Sequence, residues 1–240
     1  MEVAVVIPTK NEEKYLPPLL KSLKKQTYKD FEVFVADAGS KDRTKEIAKK
    51  YGCIITKGGL PAFGRDIAAK AAIKKGAKIL IFIDSDVILP EKNFLKKSIA
   101  ELKKRKLDLA SVKIAPFYGK NKRKDIRIVL FYSAYNIIMS LSQKGEKPFM
   151  QNYMISKSKV HKKIGGFGEI EFGEDSAYSK KAAQMGYKFR ILKTPGRALI
   201  SPRRFEEKGF WKLLFLYLYL NAKIIFGHEF SSKEKKVYFK

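Results

Sequence analysis

The sequence KILIFIDSD, residues 78–86, joins an apolar run of five residues directly to the aspartates Asp84 and Asp86. An unbroken apolar run of this length, rich in β-branched residues, is typical of a strand buried on both faces of a sheet. Val3–Pro8 (VAVVIP), near the start of the chain, has the same character. We therefore predict two buried strands of a parallel sheet, one of which carries two carboxylates at its carboxyl end.

The residues between these two runs alternate between strand and helix patterns. Further strands and helices are predicted at Phe31–Ala36 and Gly52–Thr56, and at Glu13–Gln26, Lys41–Tyr51 and Gly64–Lys75. Ser40 is a candidate N-cap of the second helix. This βαβαβαβ order predicts an α/β fold with a doubly wound, mostly parallel central sheet flanked by helices. In such sheets, ligands bind beyond the carboxyl ends of the strands.

The composition excludes several classes of protein. A hydrophobic fraction of 45% is too high for a disordered chain, and 16 Gly and 9 Pro are too few for a collagen-like one. The single cysteine, Cys53, excludes an internal disulfide and a cysteine-based metal site. The first residues lack the basic flank and long apolar core of a signal peptide, so we expect a cytoplasmic protein.

The charge balance indicates an anionic partner. The chain has 51 Lys and Arg against 24 Asp and Glu, a net charge of +27. Nucleic acid, a membrane surface and a phosphorylated substrate all fit such an excess. The basic residues are spread along the chain and are densest in residues 91–127, so we do not expect a detachable nucleic-acid-binding arm.

Acidic and polar residues follow the predicted strands at the edge where ligands bind. These segments are PTKNE (residues 8–12), DAGSKD (37–42) and DSD (84–86), and a later Gly173-Glu174-Asp175 precedes a helical pattern. Concentrated carboxylates in a basic chain favour a binding site over a solubilising surface. The alternative for Asp37 and Asp42 is a role in turns and helix caps.

Taken in order, these segments resemble glycosyltransferase family 2, an inverting family with the GT-A fold. The resemblance rests on VIPTKNE (6–12), DAGSKDRT (37–44), DSD (84–86) and GGF (165–167) followed by Glu174-Asp175. It implies a GT-A domain over residues 1–205, with a nucleotide-binding half (1–90) and an acceptor half (91–205). Residues 206–240 then form a C-terminal helical extension with an apolar and basic helix and a tail.

The resemblance implies a nucleotide-sugar donor and assigns residues to it. Pro8, Thr9 and Glu12 contact the nucleoside, Asp37 the nucleobase, and Arg65 the nucleotide. The alternative for Arg65 is a surface ion pair.

The resemblance also implies a divalent cation, Mn²⁺ or Mg²⁺, which neutralises the diphosphate leaving group. Asp86 is the implied metal ligand, and Asp84 and Ser85 support the metal or the ribose. The alternative is a solvated pair of loop carboxylates.

Inversion requires a base that deprotonates the acceptor, and the resemblance assigns this role to Asp175, with Glu174 orienting the site. The alternative is that both are acids favoured by the first turn of a helix. Arg203 and Arg204 suit a diphosphate, because each presents a planar fork of donors, although a basic surface turn is also consistent with them.

At three points the sequence departs from the family pattern, which raises the question of whether the protein is catalytically active. Asp66 and Ala68 replace an expected Asn and Gly, and no histidine lies near Arg203 to complete a metal site. His161, in a lysine-rich stretch, is predicted to be exposed. A catalytically degenerate nucleotide-sugar-binding protein is therefore an alternative to an active enzyme, and a basic nucleic-acid-binding protein is a weaker one.

Two aromatic-rich segments, Arg127–Ser142 and Phe210–Gly227, are predicted helices. Lysines interrupt the second one, which favours a helix lying in the membrane interface over one that spans the bilayer. We therefore expect a peripheral protein on an anionic membrane surface, with an acceptor that is lipid-linked or bears a phosphate. The alternative is that both helices belong to the core or to a dimer interface.

Overall fold

The computed structural model describes residues 1–118, 124–145, 148, 150, 152–168 and 173–226. Within these residues the chain forms eight strands and nine helices. In chain order they are β1 (Val3–Thr9), α1 (Leu16–Lys24), β2 (Phe31–Asp37), α2 (Thr44–Lys50), β3 (Ile54–Lys57), α3 (Pro61–Lys74), β4 (Ile79–Ile83), β5 (Val87–Ile88), α4 (Phe94–Lys104), β6 (Leu109–Pro116), α5 (Ile126–Ser142), β7 (Tyr153–Lys157), α6 (Ser158–Ile164), α7 (Glu174–Gln184), β8 (Phe189–Ile200), α8 (Arg203–Lys208) and α9 (Phe210–Phe226).

The strands form one sheet in the order β3-β2-β1-β4-β7-β6-β8-β5. The first four neighbours are parallel, and only β7 and β5 run against the strands beside them. The remaining six strands therefore point the same way. The prediction of an α/β fold with a mostly parallel sheet flanked by helices is confirmed.

Helices cover both faces of this sheet. Val5 and Ile81 point into a core shared with α1, α2 and α4, whereas Val6 and Phe82 point into a second core shared with α3, α6 and α7. Successive residues of a strand face opposite sides of the sheet. Because helices cover both sides, both sets of β1 and β4 side chains are buried. Each fully buried aliphatic side chain contributes about 1.5 to 3 kcal/mol. This explains why both runs are apolar without interruption.

Helix α2 begins three residues later than predicted, and Ser40 does not cap it. The Ser40 hydroxyl instead donates a hydrogen bond to Asp37, while the Asp42 carboxylate accepts one from the Thr44 backbone N–H at 3.0 Å. The prediction for Ser40 is wrong, because its hydroxyl oxygen accepts from the Asn11 backbone N–H at 2.9 Å and α2 begins only at Thr44.

Helices α5, α8 and α9 meet in a third apolar cluster, formed by Ile128, Phe205 and Leu213 with the aromatic rings around them. The C-terminal helical extension thus packs on α5. None of the helices in the described residues combines the length and the apolar character needed to cross a bilayer. Residues 227–240 of the predicted tail lie outside the described part of the chain.

Candidate active site

The carboxyl ends of the parallel strands bring the candidate site residues to one edge of the sheet. Thr9, at the end of β1, is in register with Asp37, at the end of β2, and Asp84 follows β4 directly. Strand β8 ends at the same edge and leads into Arg203, the first residue of α8. Four segments that are distant in sequence therefore converge here.

Asp37 is buried in a dense set of hydrogen bonds. Its carboxylate accepts from the backbone N–H groups of Gly39 and Ser40, at 3.1 and 2.9 Å, and from the hydroxyls of Ser40 and Thr9. These bonds hold the Asp37 side chain in a fixed orientation. Beside it lies a cavity of about 570 Å³, lined by Asp37, Ala38, Gly39, Lys45, Ile55, Thr56, Lys57 and Gly58.

Gly58 permits the close approach of two chain segments at this cavity. A Cβ at position 58 would lie 2.5 Å from the carbonyl carbon of Asp37 and 2.6 Å from the backbone nitrogen of Ala38. The Gly58 N–H also donates to the Asp37 carbonyl at 2.8 Å. A side chain at this position would push the segment after β3 away from the end of β2.

Arg65, on α3, is buried at the centre of a cluster of partly buried carboxylates. Its Nη2 atom is 2.7 Å from Asp84, and its Nη1 atom is 2.7 Å from Glu174 and 3.2 Å from Asp175. The Arg65 side chain is only 4% exposed. The surface ion pair considered as an alternative is therefore wrong. The Arg65 guanidinium thus contacts Glu174 and Asp175, which lie about 110 positions later in the sequence.

Asp175, in the first turn of α7, has an increased affinity for a proton. Burial raises the pKa of Asp175 well above its usual range, the charges of Glu174 and Asp84 raise it further, and Arg65 opposes them. A carboxylate with a raised pKa is a better proton acceptor at neutral pH, as a general base requires.

Asp86 and Glu12 share a second arginine. Arg203 holds the Glu12 carboxylate in a two-pronged contact at 2.8 and 2.9 Å, and its Nε atom is 3.3 Å from Asp86. The guanidinium carbon lies 4.1 Å from the centre of the Tyr15 ring. Burial raises the pKa of Asp86 to about 6, although Arg203 and, more weakly, Arg204 oppose this shift.

The two aspartates Asp84 and Asp86 have the chemistry of a partial cation site. Within the described residues, no three His, Cys, Asp or Glu side chains cluster tightly enough to hold a metal ion alone. Mg²⁺ in proteins commonly takes one or two carboxylates and completes its shell with substrate phosphates and water. Arg65 contacts Asp84 at 2.7 Å and Arg203 contacts Asp86 at 3.3 Å, so both carboxylates are held at this end of the sheet and could supply two of the ligands of a divalent cation.

The other predicted residues lie close by. Pro8 is in register with Ala36 in the sheet, and Ser85 is buried between the two aspartates. Arg204 follows Arg203 and is half-buried. The roles of all these residues toward a ligand stay predictions.

Sequence reasoning missed two residues at the site. Asn152, just before β7, donates from its side-chain amide to Asp84 at 2.8 Å and has a positive φ of 55°. Tyr15 packs under Arg203, as described above. Their sequence positions carry no signal, because β7 runs antiparallel to β4 and reaches Asp84 only in the folded sheet.

Asp66 holds the glycine-rich turn after α6. Its carboxylate accepts from the backbone N–H groups of Phe167 and Gly168, at 2.9 and 3.1 Å. A Cβ on Gly166 would lie 2.5 Å from this carboxylate. The replacement of the expected Asn thus has a structural role, because a carboxylate supplies two acceptor oxygens.

His161 is buried, so the prediction that it is exposed is wrong. Its Nδ1 atom is 3.1 Å from the hydroxyl of Tyr178, and its Nε2 atom is 3.5 Å from Asp66. The helix α6 turns this side chain toward the sheet, while its lysines face outward. Burial lowers the pKa of His161 to about 4.

Comparison with known proteins agrees with this fold. The sequence profile of glycosyl transferase family 2 matches residues 4–165, which is more than half of the chain. The chain therefore belongs to glycosyl transferase family 2.

Individual relatives match only parts of the chain. An uncharacterized protein of Methanocaldococcus jannaschii, MJ1222, is 44% identical over 92 residues, or 35% of each protein. The poly(ribitol-phosphate) beta-N-acetylglucosaminyltransferase TarS of Staphylococcus aureus is 33% identical over 130 residues, which are 50% of this chain and 22% of TarS. The matches thus span about a third or less of these curated relatives.

Solved structures share the fold. The S. aureus TarS fragment 1–349 in complex with UDP-GlcNAc aligns with a TM-score of 0.63 and 24% identity, over 84% of this chain and 58% of that one. A mannosyltransferase from Pyrobaculum calidifontis in complex with GDP-Man and Mn²⁺ gives 0.63 and 21%, over 83% and 56%. These likenesses establish the GT-A fold of the chain.

Proposed function

We propose that the protein is a metal-dependent, inverting glycosyltransferase that moves a sugar from a nucleotide-sugar donor to an acceptor. The observation that carries this proposal is the convergence of Asp175, Asp84 and Arg65 at the same end of the sheet as the cavity at Asp37. Such a reaction needs a proton acceptor, a carboxylate pair suited to a cation and a cavity near the strand ends.

In this mechanism the acceptor hydroxyl attacks the anomeric carbon of the donor and transfers its proton to Asp175. The bond from that carbon to the diphosphate breaks on the opposite face, so the configuration inverts. A divalent cation held by Asp84 and Asp86 supplies charge neutralisation for the leaving diphosphate. Arg65 orients Asp175 by holding its carboxylate at 3.2 Å. If the acceptor is an ionised phosphate, Asp175 positions it and no proton needs to move.

The donor residues follow from the same arrangement. We propose that the nucleobase occupies the cavity beside Asp37, and that Pro8, Thr9 and Glu12 contact the nucleoside. We propose that Arg203 and Arg204 bind the diphosphate, with Arg203 exchanging its contact with Glu12 for phosphate oxygens. Related proteins have been solved with UDP-GlcNAc and with GDP-Man, which supports a nucleotide-sugar donor without choosing its base.

A thermal-shift experiment tests donor binding. UDP, GDP and other nucleoside diphosphates are added to the protein with Mn²⁺ and with EDTA. A ligand at one hundred times its dissociation constant stabilises the native state by about 2.7 kcal/mol. We expect one nucleotide to raise the melting temperature with Mn²⁺ only. If no nucleotide raises it, the donor proposal is wrong.

A catalytically degenerate donor-binding protein is a second candidate. The observation in its favour is that Arg65 pairs with Asp175 and opposes the rise of its pKa. Such a protein would bind a nucleotide with Mn²⁺ but would release no nucleoside diphosphate from any nucleotide-sugar. The active enzyme releases it, and the Asp175→Asn variant does not.

We further propose that the protein works at an anionic membrane surface. Helix α5 exposes an apolar stripe at Ile126, Leu130, Ile137 and Leu141, and α9 exposes a second one at Trp211, Phe215 and Leu218. Leu141 is 76% exposed and Phe215 is 65% exposed. Contiguous exposed apolar surface marks interaction sites, and basic residues attract anionic lipid. A lipid-linked acceptor would be reached there.

A further inference from the structure

A second cavity, of about 700 Å³, lies at the opposite edge of the sheet from the candidate active site. Its walls come from the segment before β4, the start of α6 and the ends of α3 and α4. Strand β4 separates it from Asp84. At about 3.3 Å per residue, five residues span roughly 17 Å. This cavity is therefore distinct from the donor site.

Six lysines surround this cavity, which we call the lysine cavity: Lys78, Lys103, Lys106, Lys157, Lys159 and Lys162. Lys103 pairs with Glu2 at 2.6 Å, and Lys157 pairs with Asp108 at 3.0 Å. The other four form no ion pair within the described residues. Apolar side chains, including Ile73, Ile79 and Leu102, complete the walls.

Like charges on one concave surface repel one another; among these four lysines, Lys78 has the charge of Glu2 close by. A cleft lined by one sign of charge also concentrates counter-ions in it. An anion bound among the lysines relieves the repulsion. The apolar walls can in addition cover an apolar group of the same ligand, and a volume of about 700 Å³ is in the range of small-molecule sites.

The backbone of Lys106 gives independent support. In the described residues, three residues other than glycine have a positive φ: Asn11, Asn152 and Lys106, whose φ is 51°. The two asparagines belong to the candidate active site, and Asn tolerates this conformation well. Lys does not.

Lys106 lies just after α4, where the chain reverses. Its N–H donates to the Lys103 carbonyl, and the N–H of Leu107 donates to the Leu102 carbonyl, both at 3.0 Å. This is the helix ending at which glycine is the usual residue. A lysine in this conformation costs stability, and strained residues of this kind cluster at functional sites. Its side chain adds charge to the rim of the cavity.

We propose that the lysine cavity binds a phosphate-bearing ligand with an apolar body. The lysines hold the phosphate, and Ile73, Ile79 and Leu102 contact the apolar part. The site is separate from the donor site and does not depend on the proposed activity. A lipid phosphate headgroup and a free organic phosphate offer the same chemistry, and the experiment distinguishes them.

Isothermal titration calorimetry with two probes tests this proposal. The probes are dihexanoyl phosphatidic acid, below its micelle concentration, and glycerol 3-phosphate. We expect binding to weaken about tenfold in the Lys159→Ala/Lys162→Ala variant, because two phosphate contacts are lost. The matched control is Lys49→Ala/Lys50→Ala, which removes two exposed lysines of α2 and should leave binding unchanged.

The Lys106→Gly variant separates binding from stability. Glycine adopts the positive φ without strain, so we expect an unchanged or higher melting temperature together with weaker binding of the probe. Tighter binding of the lipid probe supports a lipid phosphate held by both the lysines and the apolar walls, and equal binding of both probes would contradict the contact between the apolar walls and the ligand. The proposal is overturned if neither probe binds, if the cavity variants bind as wild type does, or if the control loses as much affinity.

Discussion

Arg65 connects three carboxylates through two nitrogen atoms, in a position almost closed to solvent. Without it, Asp84, Glu174 and Asp175 would be left as neighbouring, partly buried negative charges. Removing one partner of a buried charge cluster is far more costly than removing an exposed one. This single residue therefore links the strand-end aspartate to the start of α7 and fixes where the candidate base lies.

We expect Arg65→Met to lower the free energy of unfolding by about 3 to 5 kcal/mol, because the buried carboxylates lose their counter-charge. Denaturant unfolding monitored by circular dichroism measures this loss. The matched control is Lys75→Met, which breaks an exposed ion pair with Glu32 and should cost less than about 1 kcal/mol. Equal losses in the two variants would contradict the role given to Arg65.

Asp66→Ala tests the turn that precedes α7. The N–H groups of Phe167 and Gly168 lose their acceptor, which should destabilise the protein by about 1 to 3 kcal/mol. Hydrogen exchange at these two amides should accelerate. Asp66→Asn keeps one acceptor oxygen and should give an intermediate effect. Unchanged exchange in both variants would show that Asp66 does not hold the turn.

The sequence predicts some residues of this site much better than others. Asp84 and Asp37 follow apolar strands in a repeating pattern, so their place at the sheet edge can be inferred locally. Arg65 pairs with Glu174 and Asp175 across about 110 residues, and Asn152 reaches Asp84 through an antiparallel strand. Such contacts depend on the order of the strands, which local patterns do not encode.

At the scale of elements, α6 shows how a short helix is oriented by one buried polar network. His161 lies between Tyr178 and Asp66, while Lys159, Lys162 and Lys163 stay exposed. A lysine-rich composition alone predicts exposure for the whole stretch, and this is why the prediction for His161 is wrong. The buried face is set by α7, which the local pattern does not contain.

Buried His161 makes stability depend on pH. Burial, aided by the nearby charge of Lys70, lowers its pKa to about 4, below the value of about 6.5 in the unfolded chain. The unfolded state therefore takes up the proton first, and stability is lost as the pH falls. Between pH 7 and pH 5 we expect a loss of about 2 kcal/mol.

Denaturant unfolding of wild type and His161→Gln at both pH values measures this effect. The glutamine cannot titrate but can still hydrogen-bond to Tyr178. The variant should therefore lose about 2 kcal/mol less than wild type over this interval. The same pH dependence in both proteins would show that His161 is not the group responsible.

The exposed stripe of α9 predicts binding to lipid. Trp211→Ser/Phe215→Ser removes two aromatic side chains that can enter the interface. We expect sedimentation with anionic vesicles to fall at least about fivefold, since apolar burial of each ring contributes roughly 1 kcal/mol or more. Met185→Ser, which changes an exposed apolar residue on α7's end, should have no effect.

Two results would contradict the membrane assignment. One is equal recovery of the wild-type protein on neutral and anionic vesicles, because the basic charge would then play no part. The other is a dimer in light scattering that the α9 variant dissociates, which would assign the stripe to a protein interface.

At the scale of the whole molecule, the net charge of +27 separates into two patterns. The acids needed for chemistry are gathered at one edge of the sheet, where Arg65 and Arg203 partly neutralise them. Lysines without carboxylate partners gather at the opposite edge, around the lysine cavity. A nucleic-acid-binding protein would need its basic surface at the binding site, and here carboxylates gather at the candidate active site.

The parallel half of the fold can be predicted from the sequence, because each strand and helix there is short, regular and adjacent to the next. The later strands were not, since β7, β6 and β8 interleave and β5 is only two residues long. The lysine cavity also brings together residues from 73 to 162. Features of this kind appear only when the whole chain is folded.

The release of nucleoside diphosphate from nucleotide-sugars, measured with Mn²⁺ for wild type and Asp175→Asn, tests most directly whether the protein is a metal-dependent glycosyltransferase with Asp175 as its base. We expect wild type to turn over at least one nucleotide-sugar, and we expect EDTA to abolish the reaction. Asp175→Asn should lose at least about a hundredfold in turnover, as expected for a general base, yet keep Mn²⁺-dependent nucleotide binding. Full activity in the variant would contradict the role of Asp175, and an inactive wild type that binds nucleotide would contradict catalysis itself.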